Sequence, residues 1–287
     1  SKPFLATPRK LIPGGYNPKA FSIDPLALIS PFPKFSTKQV ISEFTKAFDD
    51  EGDVPRYKLL GKISGAPKVD AVVYDVDGNP YTGWDPKKYR GYKIWLDCDK
   101  RAAVKFEYQV GLDTGDVDRD KNKSYRFDEN LPQRCRQKVT DTYNPYLPGF
   151  DRGHLVPFNH MDVDVETAIE TNFMVNILPQ ARDMNRKGGA WYQTEQITEC
   201  FREHYPPLTV IGGPIWGSSS GLLESHGVEV PEYFWKVIFH SEDAIAWIIP
   251  NNKEAKKQRL DEYLTSIAEI EQKTDFIIDV PDRLKNP

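Results

Sequence analysis

Short runs of apolar and β-branched residues, separated by turn-forming residues, give this chain its most regular pattern. Runs of this kind, which predict β-strands, lie at residues 68–74, 93–96, 103–110, 208–211, 233–239 and 244–249. The polar segment 97–101 joins the second and third strands, and residues 241–243 close the last two into a hairpin. Strands linked by such short turns are typical of an antiparallel sheet.

Apolar residues at helical spacing predict three helices. Residues 36–39 have the pattern of a capping box and predict a short helix from about 37 to 49. A second helix is predicted over residues 190–205, where Pro206 and Pro207 end it. A late helix is predicted from an apolar stripe made of Leu260, Tyr263, Leu264, Ile267 and Ile270. Together the elements predict an α+β fold, with a central antiparallel β-sheet flanked by helices.

Two segments depart from these patterns. Residues 1–80 begin with seven prolines before residue 35 and are predicted to form a Pro-rich N-terminal extension that carries the first helix. Residues 81–287 are then the main folded domain. Residues 112–145 are charged and aperiodic, which predicts a long surface loop. Such a loop in a compact domain is more often functional than idle.

Composition narrows the class of protein. A hydrophobic content of 39% indicates a folded globular chain, and no apolar run approaches the roughly 20 residues of a membrane span. The net charge of -4 and pI of about 5.8 argue against binding nucleic acid by bulk basicity. A bound cation and a few local Arg and Lys residues can still act on a polyanion. The 3 cysteines lack CxxC spacing, which excludes a thiolate zinc site, while one disulfide or three thiols both stay open.

The segment Asp151-Arg152-Gly153-His154 carries the strongest candidate chemistry. Phosphodiester hydrolysis needs an activated water and neutralisation of phosphate charge, and a histidine is the natural general base near neutral pH. In an extended segment Arg152 and His154 share a face, so both can address one phosphate. Asp151 lies on the other face, where it can brace a neighbouring element. A solitary histidine is more often structural, but the Asn-containing segments that follow favour catalysis.

Two later residues complete the candidate site. Asn185 offers a carboxamide oxygen, which suits Mg²⁺ and also Mn²⁺. The alternative is that Asn185 caps the helix that carries Trp191. Glu195 lies four residues after Trp191 on the same helical face, where its carboxylate can hold a metal-bound water. The alternative for Glu195 is an ordinary solvated surface group.

Three segments together resemble a known family: Asp151 to His154, Thr171 to Gln180, and Asn185 with Trp191 and Glu195. They resemble the DNA/RNA non-specific endonucleases with a ββα-metal finger, a family that includes secreted bacterial nucleases and mitochondrial endonuclease G-type enzymes. The likeness covers residues 90–280. It implies a ββα-metal active site within the α+β fold.

The resemblance also implies roles for individual residues. His154 is implied as the general base, and Asn185 as the one direct protein ligand of a hydrated Mg²⁺. Glu195 is implied to orient a metal-bound water, and Arg152 to contact phosphate. Asn176 is implied to support the site through hydrogen bonds, with Asp151 and Glu195 bracing the metal ligand and its water from outside.

The family also uses a basic residue upstream to stabilise the transition state. The candidates are Lys123 and Arg126, with Arg119 further back. The connection from Asn185 to Trp191 is longer than usual and includes Arg186 and Lys187, which are predicted to add substrate contacts. A second departure is Glu199, which stands where some members carry an arginine that binds the cleft.

The sequence therefore predicts an Mg²⁺-dependent, sugar-non-specific endonuclease that hydrolyses DNA and RNA to 5′-phosphate ends. DNA and RNA are the expected substrates, with no membrane partner, while a homodimer and an inhibitor protein stay open. The family's habits favour a secreted, periplasmic or organellar location. One alternative is a catalytically weak module on the same fold that binds nucleic acid or protein, and another is a phosphodiesterase or phosphatase for small nucleotides.

Overall fold

A computed structural model describes the backbone of residues 73–74 and 80–81, and then residues 86–286 with the exception of residue 242. The helix predicted at 37–49 and most of the strand predicted at 68–74 lie outside the described residues. Val73–Tyr74 (β1) and Pro80–Tyr81 (β2) pair antiparallel. The boundary predicted near residue 80 stays a prediction.

An antiparallel sheet of six strands forms the centre of the fold, in the order β12-β11-β8-β5-β4-β3. Its strands are β3 (Lys87–Lys88), β4 (Tyr92–Asp97), β5 (Ala102–Val110), β8 (Leu208–Ile215), β11 (Tyr233–His240) and β12 (Asp243–Pro250). Two smaller antiparallel pairs are β6 (Phe150–His154) with β7 (Ile177–Ala181) and β9 (Leu222–Leu223) with β10 (Val228–Glu229). The predicted antiparallel sheet is confirmed.

Helices flank the sheet. They are α1 (Val165–Glu170), α2 (Arg182–Asn185), α3 (Ala190–Arg202) and α4 (Ile267–Thr274). Short 3-10 segments occupy Gln133–Cys135, Phe158–His160, Met174–Asn176, Lys257–Tyr263 and Asp282–Leu284. The α+β class is therefore confirmed. No helix among the described residues is long and apolar enough to cross a membrane.

Both faces of the sheet are covered. On one face α3 contributes Trp191 and Phe201 to a core with Phe106 and Phe234 of the strands. On the other face α4 and the segment after it pack on β8, β11 and β12. Gly212 on β8 makes room for this packing, because a Cβ there would lie 2.3 Å from the Phe106 ring. Burial on both faces explains why β8, β11 and β12 are mostly apolar on both faces rather than alternating, with Lys236 of β11 as a buried exception.

The late helix predicted over the stripe from Leu260 to Ile270 is wrong as a single element. The stripe is divided between the 3-10 segment Lys257–Tyr263 and α4, with an extended Leu264 that pairs with Trp247 of β12 between them. The physical reason is a new helix start, because the Ser266 hydroxyl accepts a hydrogen bond from the Glu269 N–H.

A disulfide joins Cys98, after β4, to Cys135 in the predicted surface loop, and Cys200 is a buried free thiol. This resolves the alternatives that the sequence left open. The loop of residues 112–145 is irregular, as predicted, and the disulfide holds it against the edge of the central sheet.

Candidate active site

Three elements from one stretch of the chain, β6, β7 and α3, bring the candidate residues together. Strand β6 pairs antiparallel with β7, with Asp151 opposite Gln180 and His154 opposite Ile177. The short helix α2 follows β7 directly and ends at Asn185, and α3 begins five residues later at Ala190. A strand–strand–helix unit therefore carries the sequence from Asp151 to Glu195.

His154 ends β6 with a buried imidazole. Its Nε2 lies 3.0 Å from Asn172 Oδ1, and the Asn172 amide donates in turn to the backbone carbonyl of Asn122. Because that amide is already a donor, Asn172 Oδ1 must accept from the ring, which leaves the lone pair on His154 Nδ1. Burial lowers the pKa of His154 to about 4, and the charges of Arg119 and Arg152 also lower it. The ring is therefore neutral at neutral pH, as a general base requires.

Arg152 and His154 lie on the same side of β6, as their spacing predicted. The Arg152 guanidinium stacks 3.9 Å above the centre of the Tyr125 ring, and the same ring lies 5.7 Å from the His154 imidazole. Arg152 Nη1 also donates to the carbonyl oxygen of Thr140 at 2.7 Å. Tyr125 was missed from the sequence, because it lies in an aperiodic loop and reaches β6 only through the fold.

The backbone of His154 is fixed by two neighbours. Its carbonyl oxygen accepts hydrogen bonds from Gln180 Nε2 at 3.4 Å and from Trp191 Nε1 at 3.3 Å. Gly153 makes the first of these bonds sterically feasible, because a Cβ at that position would lie 2.2 Å from the Gln180 side chain. The glycine of this segment therefore serves close packing beneath the histidine.

Asp151 lies on the opposite side of β6 and braces α2. Arg186 donates to both of its carboxylate oxygens, at 2.6 and 2.8 Å, and Arg182 donates at 3.4 Å. Partial burial raises the pKa of the Asp151 carboxyl, but Arg186, Arg182 and a hydrogen bond from Asn185 outweigh it and lower the pKa. Arg186, predicted to contact substrate, is thus engaged with Asp151 in this structure.

Asn185 is half-buried at the end of α2, close enough to Asp151 to help lower the pKa of that carboxyl. The N-cap of α3 is Gly189, so Asn185 does not cap the helix that carries Trp191. With its amide group used as a donor, its carbonyl oxygen is available to a cation. Lys187, the other basic residue of the longer connection, is exposed.

Glu195 is half-buried on α3, in contrast to the solvated group that a lone glutamate usually is. Burial raises its pKa to about 7, while the charges of Lys236 and Arg119 and a hydrogen bond from Trp191 lower it. Trp191, one helical turn before Glu195 on α3, donates to the His154 carbonyl and so joins the helix that carries Glu195 to β6.

Asn176 is fully buried just before β7 and contacts backbone alone. Its Oδ1 accepts from the Val156 N–H at 2.9 Å, and its Nδ2 donates to the carbonyls of Val156 and Thr171 at 2.9 and 2.8 Å. These bonds fix the chain that leaves β6 after His154, so Asn176 holds the site in place without reaching into it.

The upstream basic candidates occupy different positions. The Lys123 ammonium is exposed and pairs with Asp120 at 3.1 Å. The backbone of Arg126 pairs with the segment at Asn172 and Phe173. Arg119 is the one whose charge acts on both His154 and Glu195. The loop gave no periodicity from which this ranking could have been predicted.

Glu199, which stands where some family members are expected to carry an arginine, contributes to a polar cluster within the fold. Its carboxylate accepts from Asn159 at 2.8 Å and pairs with Arg202 at 2.7 Å. His160, whose Nδ1 lies 2.8 Å from the Tyr108 hydroxyl, is 3.3 Å from the same carboxylate. The positive charge of Arg202 therefore offsets part of the negative charge of Glu199, and Arg202 also pairs with Asp113.

The donor set fits a hydrated hard cation. No group of three or more His, Cys, Asp or Glu side chains among the described residues is arranged to enclose a metal ion. Mg²⁺ retains several waters and needs one or two protein oxygens, which the Asn185 carbonyl can supply. The carboxylate of Glu195 adds an acceptor for cation-bound water.

Comparison with known proteins identifies a family for this chain. The model of the DNA/RNA non-specific endonuclease family matches residues 74–286. The mitochondrial nuclease EXOG of Homo sapiens is 24% identical over 234 residues, which cover 75% of this chain and 62% of EXOG. A nuclease of Nostoc sp. is 26% identical over 246 residues, covering 79% of this chain and 86% of that protein. The matched region thus spans less than two thirds of the length of EXOG.

A solved structure shares the fold. A chain in the crystal structure of the EndoG/EndoGI complex superposes with a TM-score of 0.61 at 20% identity, covering 70% of this chain and 88% of that one. Nuclease C1 of Cunninghamella echinulata var. echinulata is a further relative in sequence, 26% identical over 215 residues that cover 68% of this chain and 82% of that protein.

Proposed function

The chain belongs to the DNA/RNA non-specific endonuclease family, and from this membership we propose that it is an Mg²⁺-dependent endonuclease. Its substrates are DNA and RNA, and hydrolysis of their phosphodiester bonds leaves 5′-phosphate ends. The observation that supports this best is the neutral, oriented imidazole of His154 in the same ββα unit as Asn185 and Glu195.

His154 acts as the general base. Asn172 holds the imidazole through Nε2, so Nδ1 takes the proton from the attacking water. Asn185 would hold Mg²⁺ through its carbonyl oxygen, and the bound ion would supply charge neutralisation at the phosphate and acidity for the departure of the leaving oxygen. Asp151 orients Asn185, and Glu195 orients water beside it.

Cationic side chains hold the phosphate. Arg152 is fixed on Tyr125 and presents its guanidinium on the His154 side of β6, where it contacts the scissile phosphate. Arg119 stabilises the charge that develops in the transition state, because its own charge already acts at His154 and Glu195. Lys187 adds a contact to the backbone of the polymer. These contacts address phosphate alone, so sequence specificity is low.

The proposed function also bears on the compartment, the metal ion and the protein partners. The Cys98–Cys135 disulfide suits an oxidising environment, which agrees with a secreted or periplasmic protein or one within an organelle. Mn²⁺ should substitute for Mg²⁺, because both ions prefer oxygen ligands. The homodimer and the inhibitor protein stay predictions.

Cleavage of supercoiled plasmid tests the reaction and the base together. Wild type, His154→Ala and His204→Ala are compared with Mg²⁺ and with EDTA, and His204 serves as the control because it is exposed at the end of α3. We expect nicking and degradation by wild type and His204→Ala with Mg²⁺, and neither from His154→Ala nor in EDTA. Absence of cleavage by wild type with any divalent cation would favour a binding module, and full activity of His154→Ala would rule out its role as base.

A further inference from the structure

Lys236 is a fully buried lysine directly beneath the candidate site. It lies in the middle of β11, and its ammonium donates to Thr194 Oγ1 at 2.8 Å. The same ammonium lies 3.7 Å from the centre of the Trp191 ring. Burying a cation is costly unless other groups compensate it, and the hydroxyl and the ring are neutral groups that compensate only part of the cost.

The compensating negative charge is that of Glu195, the residue after Thr194. The charges of Lys236 and Glu195 interact favourably, and each offsets part of the effect of burial on the other. Burial lowers the pKa of Lys236 to about 8 and raises that of Glu195 to about 7. The other ionisable groups facing this region are Tyr108 of β5, His160 of the 3-10 segment and Arg119 of the long loop.

Packing alone does not account for a cation at this position. Phe234 and Ile238, the neighbours of Lys236 on the same face of β11, are apolar and fully buried. A methionine would fill the same space without a charge to desolvate. The buried ammonium of Lys236 thus lies where α3 presents Thr194, Trp191 and the Glu195 carboxylate, and its desolvation costs free energy that an apolar side chain would not.

We propose that Lys236 is a positioning residue of the site. Thr194 and Trp191 hold its ammonium beneath α3, and from there its buried positive charge stabilises the negative charge of Glu195. The proposal rests on the proposed function for the role of Glu195 in hydrolysis. Lys236 is fully buried, so it acts only through that carboxylate.

Direct titration of the Glu195 carboxylate tests the charge interaction without any activity. The metal-free protein is labelled with ¹³C at glutamate carboxyl carbons, and Glu195→Gln assigns the signal. In Lys236→Met we expect the pKa of Glu195 to rise. The matched control is Lys105→Met, because Lys105 is a nearly buried lysine 4.0 Å from the Trp95 ring on the other face of the sheet. An unchanged Glu195 titration in Lys236→Met would overturn the proposal.

A double-mutant cycle tests the consequence for hydrolysis. Lys236→Met should lower kcat roughly tenfold or more in the wild-type background and have little effect in the Glu195→Gln background. Equal losses in both backgrounds would show a merely structural role and contradict the proposal.

If Lys236→Met does not fold, Lys236→Gln removes the charge while keeping a donor for Thr194. If the wild-type protein has no nuclease activity, the proposed function is wrong. The titration of Glu195 still tests the role of Lys236 in that case, because it needs no activity.

Discussion

Trp191 Nε1 donates a hydrogen bond to the backbone carbonyl oxygen of His154, with 3.3 Å between the two atoms. This bond joins α3 to β6 and therefore the helix that carries Glu195 to the strand that carries the proposed base. The Trp191 ring also packs on Phe234 and Phe106 of the central sheet, so the hydrophobic core fixes the position of the site. Movement of α3 relative to β6 would have to break this contact.

Trp191→Phe should lower kcat more than the control Trp235→Phe does, while the two variants lose similar free energy of unfolding. The change removes the hydrogen bond to His154 and leaves a small cavity, at a cost of about 1–3 kcal/mol in the free energy of unfolding. Trp235→Phe is the matched control, because Trp235 is equally buried in the core on the opposite face and its Nε1 has no hydrogen-bond partner among the described residues. Urea unfolding and kcat on plasmid DNA are measured for both variants. Similar kcat values in the two variants would show that the hydrogen bond to His154 does not matter for hydrolysis.

The ββα unit could be predicted from the sequence because its parts are close along the chain. Asp151 to His154 and Asn185 to Glu195 lie within 45 residues of one another. Helical periodicity predicted α3, whereas β6 and β7 were not among the strands predicted from periodicity and followed only from the family resemblance. The central sheet could likewise be predicted from its strands, although the full length of β8 could not, because its Gly212-Gly213-Pro214 end lacks strand propensity.

Other parts of the site depend on contacts between distant segments. Tyr125 meets Arg152, Arg119 acts on Glu195, and Lys236 reaches Thr194 across 42 positions of sequence. No local periodicity reports such pairs. The late stripe shows the opposite error, in which helical spacing continued through Leu264 although a new helix cap at Ser266 divides it.

Asp151→Asn should weaken the affinity for Mg²⁺. Loss of the carboxylate frees Arg186 and removes the acceptor that orients the Asn185 amide, and changes of this kind beyond the ligand itself typically weaken metal binding about 10–100-fold. The measurement is the Mg²⁺ concentration at half-maximal plasmid cleavage. Asp183→Asn is the control, because Asp183 lies in the same helix and pairs with Lys256 at the surface. An unchanged Mg²⁺ requirement in Asp151→Asn would contradict the orienting role.

The acidic limb of the pH profile should belong to Glu195 and not to His154. The base works when neutral, which it is above a pKa of about 4, whereas Glu195 works when ionised, above a pKa of about 7. As pH falls, Glu195 is therefore protonated first, and kcat/KM of wild type should fall through neutral pH. Glu195→Gln should be slower at high pH and nearly flat between pH values of about 5 and 8. Retention of the wild-type limb in Glu195→Gln would assign it to another group.

Reduction of the Cys98–Cys135 disulfide should destabilise the part of the site that comes from the long loop. The bond closes a loop with a sequence separation of 37 residues that includes Arg119 and Tyr125. Chain-entropy arguments give about 4 kcal/mol of unfolding free energy for a loop of this length.

Urea unfolding and plasmid cleavage are compared for wild type with and without a reductant, and for the double variant Cys98→Ser/Cys135→Ser. We expect the reductant to lower both stability and activity of wild type to the level of the double variant and to leave the double variant unchanged. Equal stability of reduced and oxidised wild type would show that the loop is held by its other contacts alone, chiefly the backbone pairing of Arg126 with the segment at Asn172.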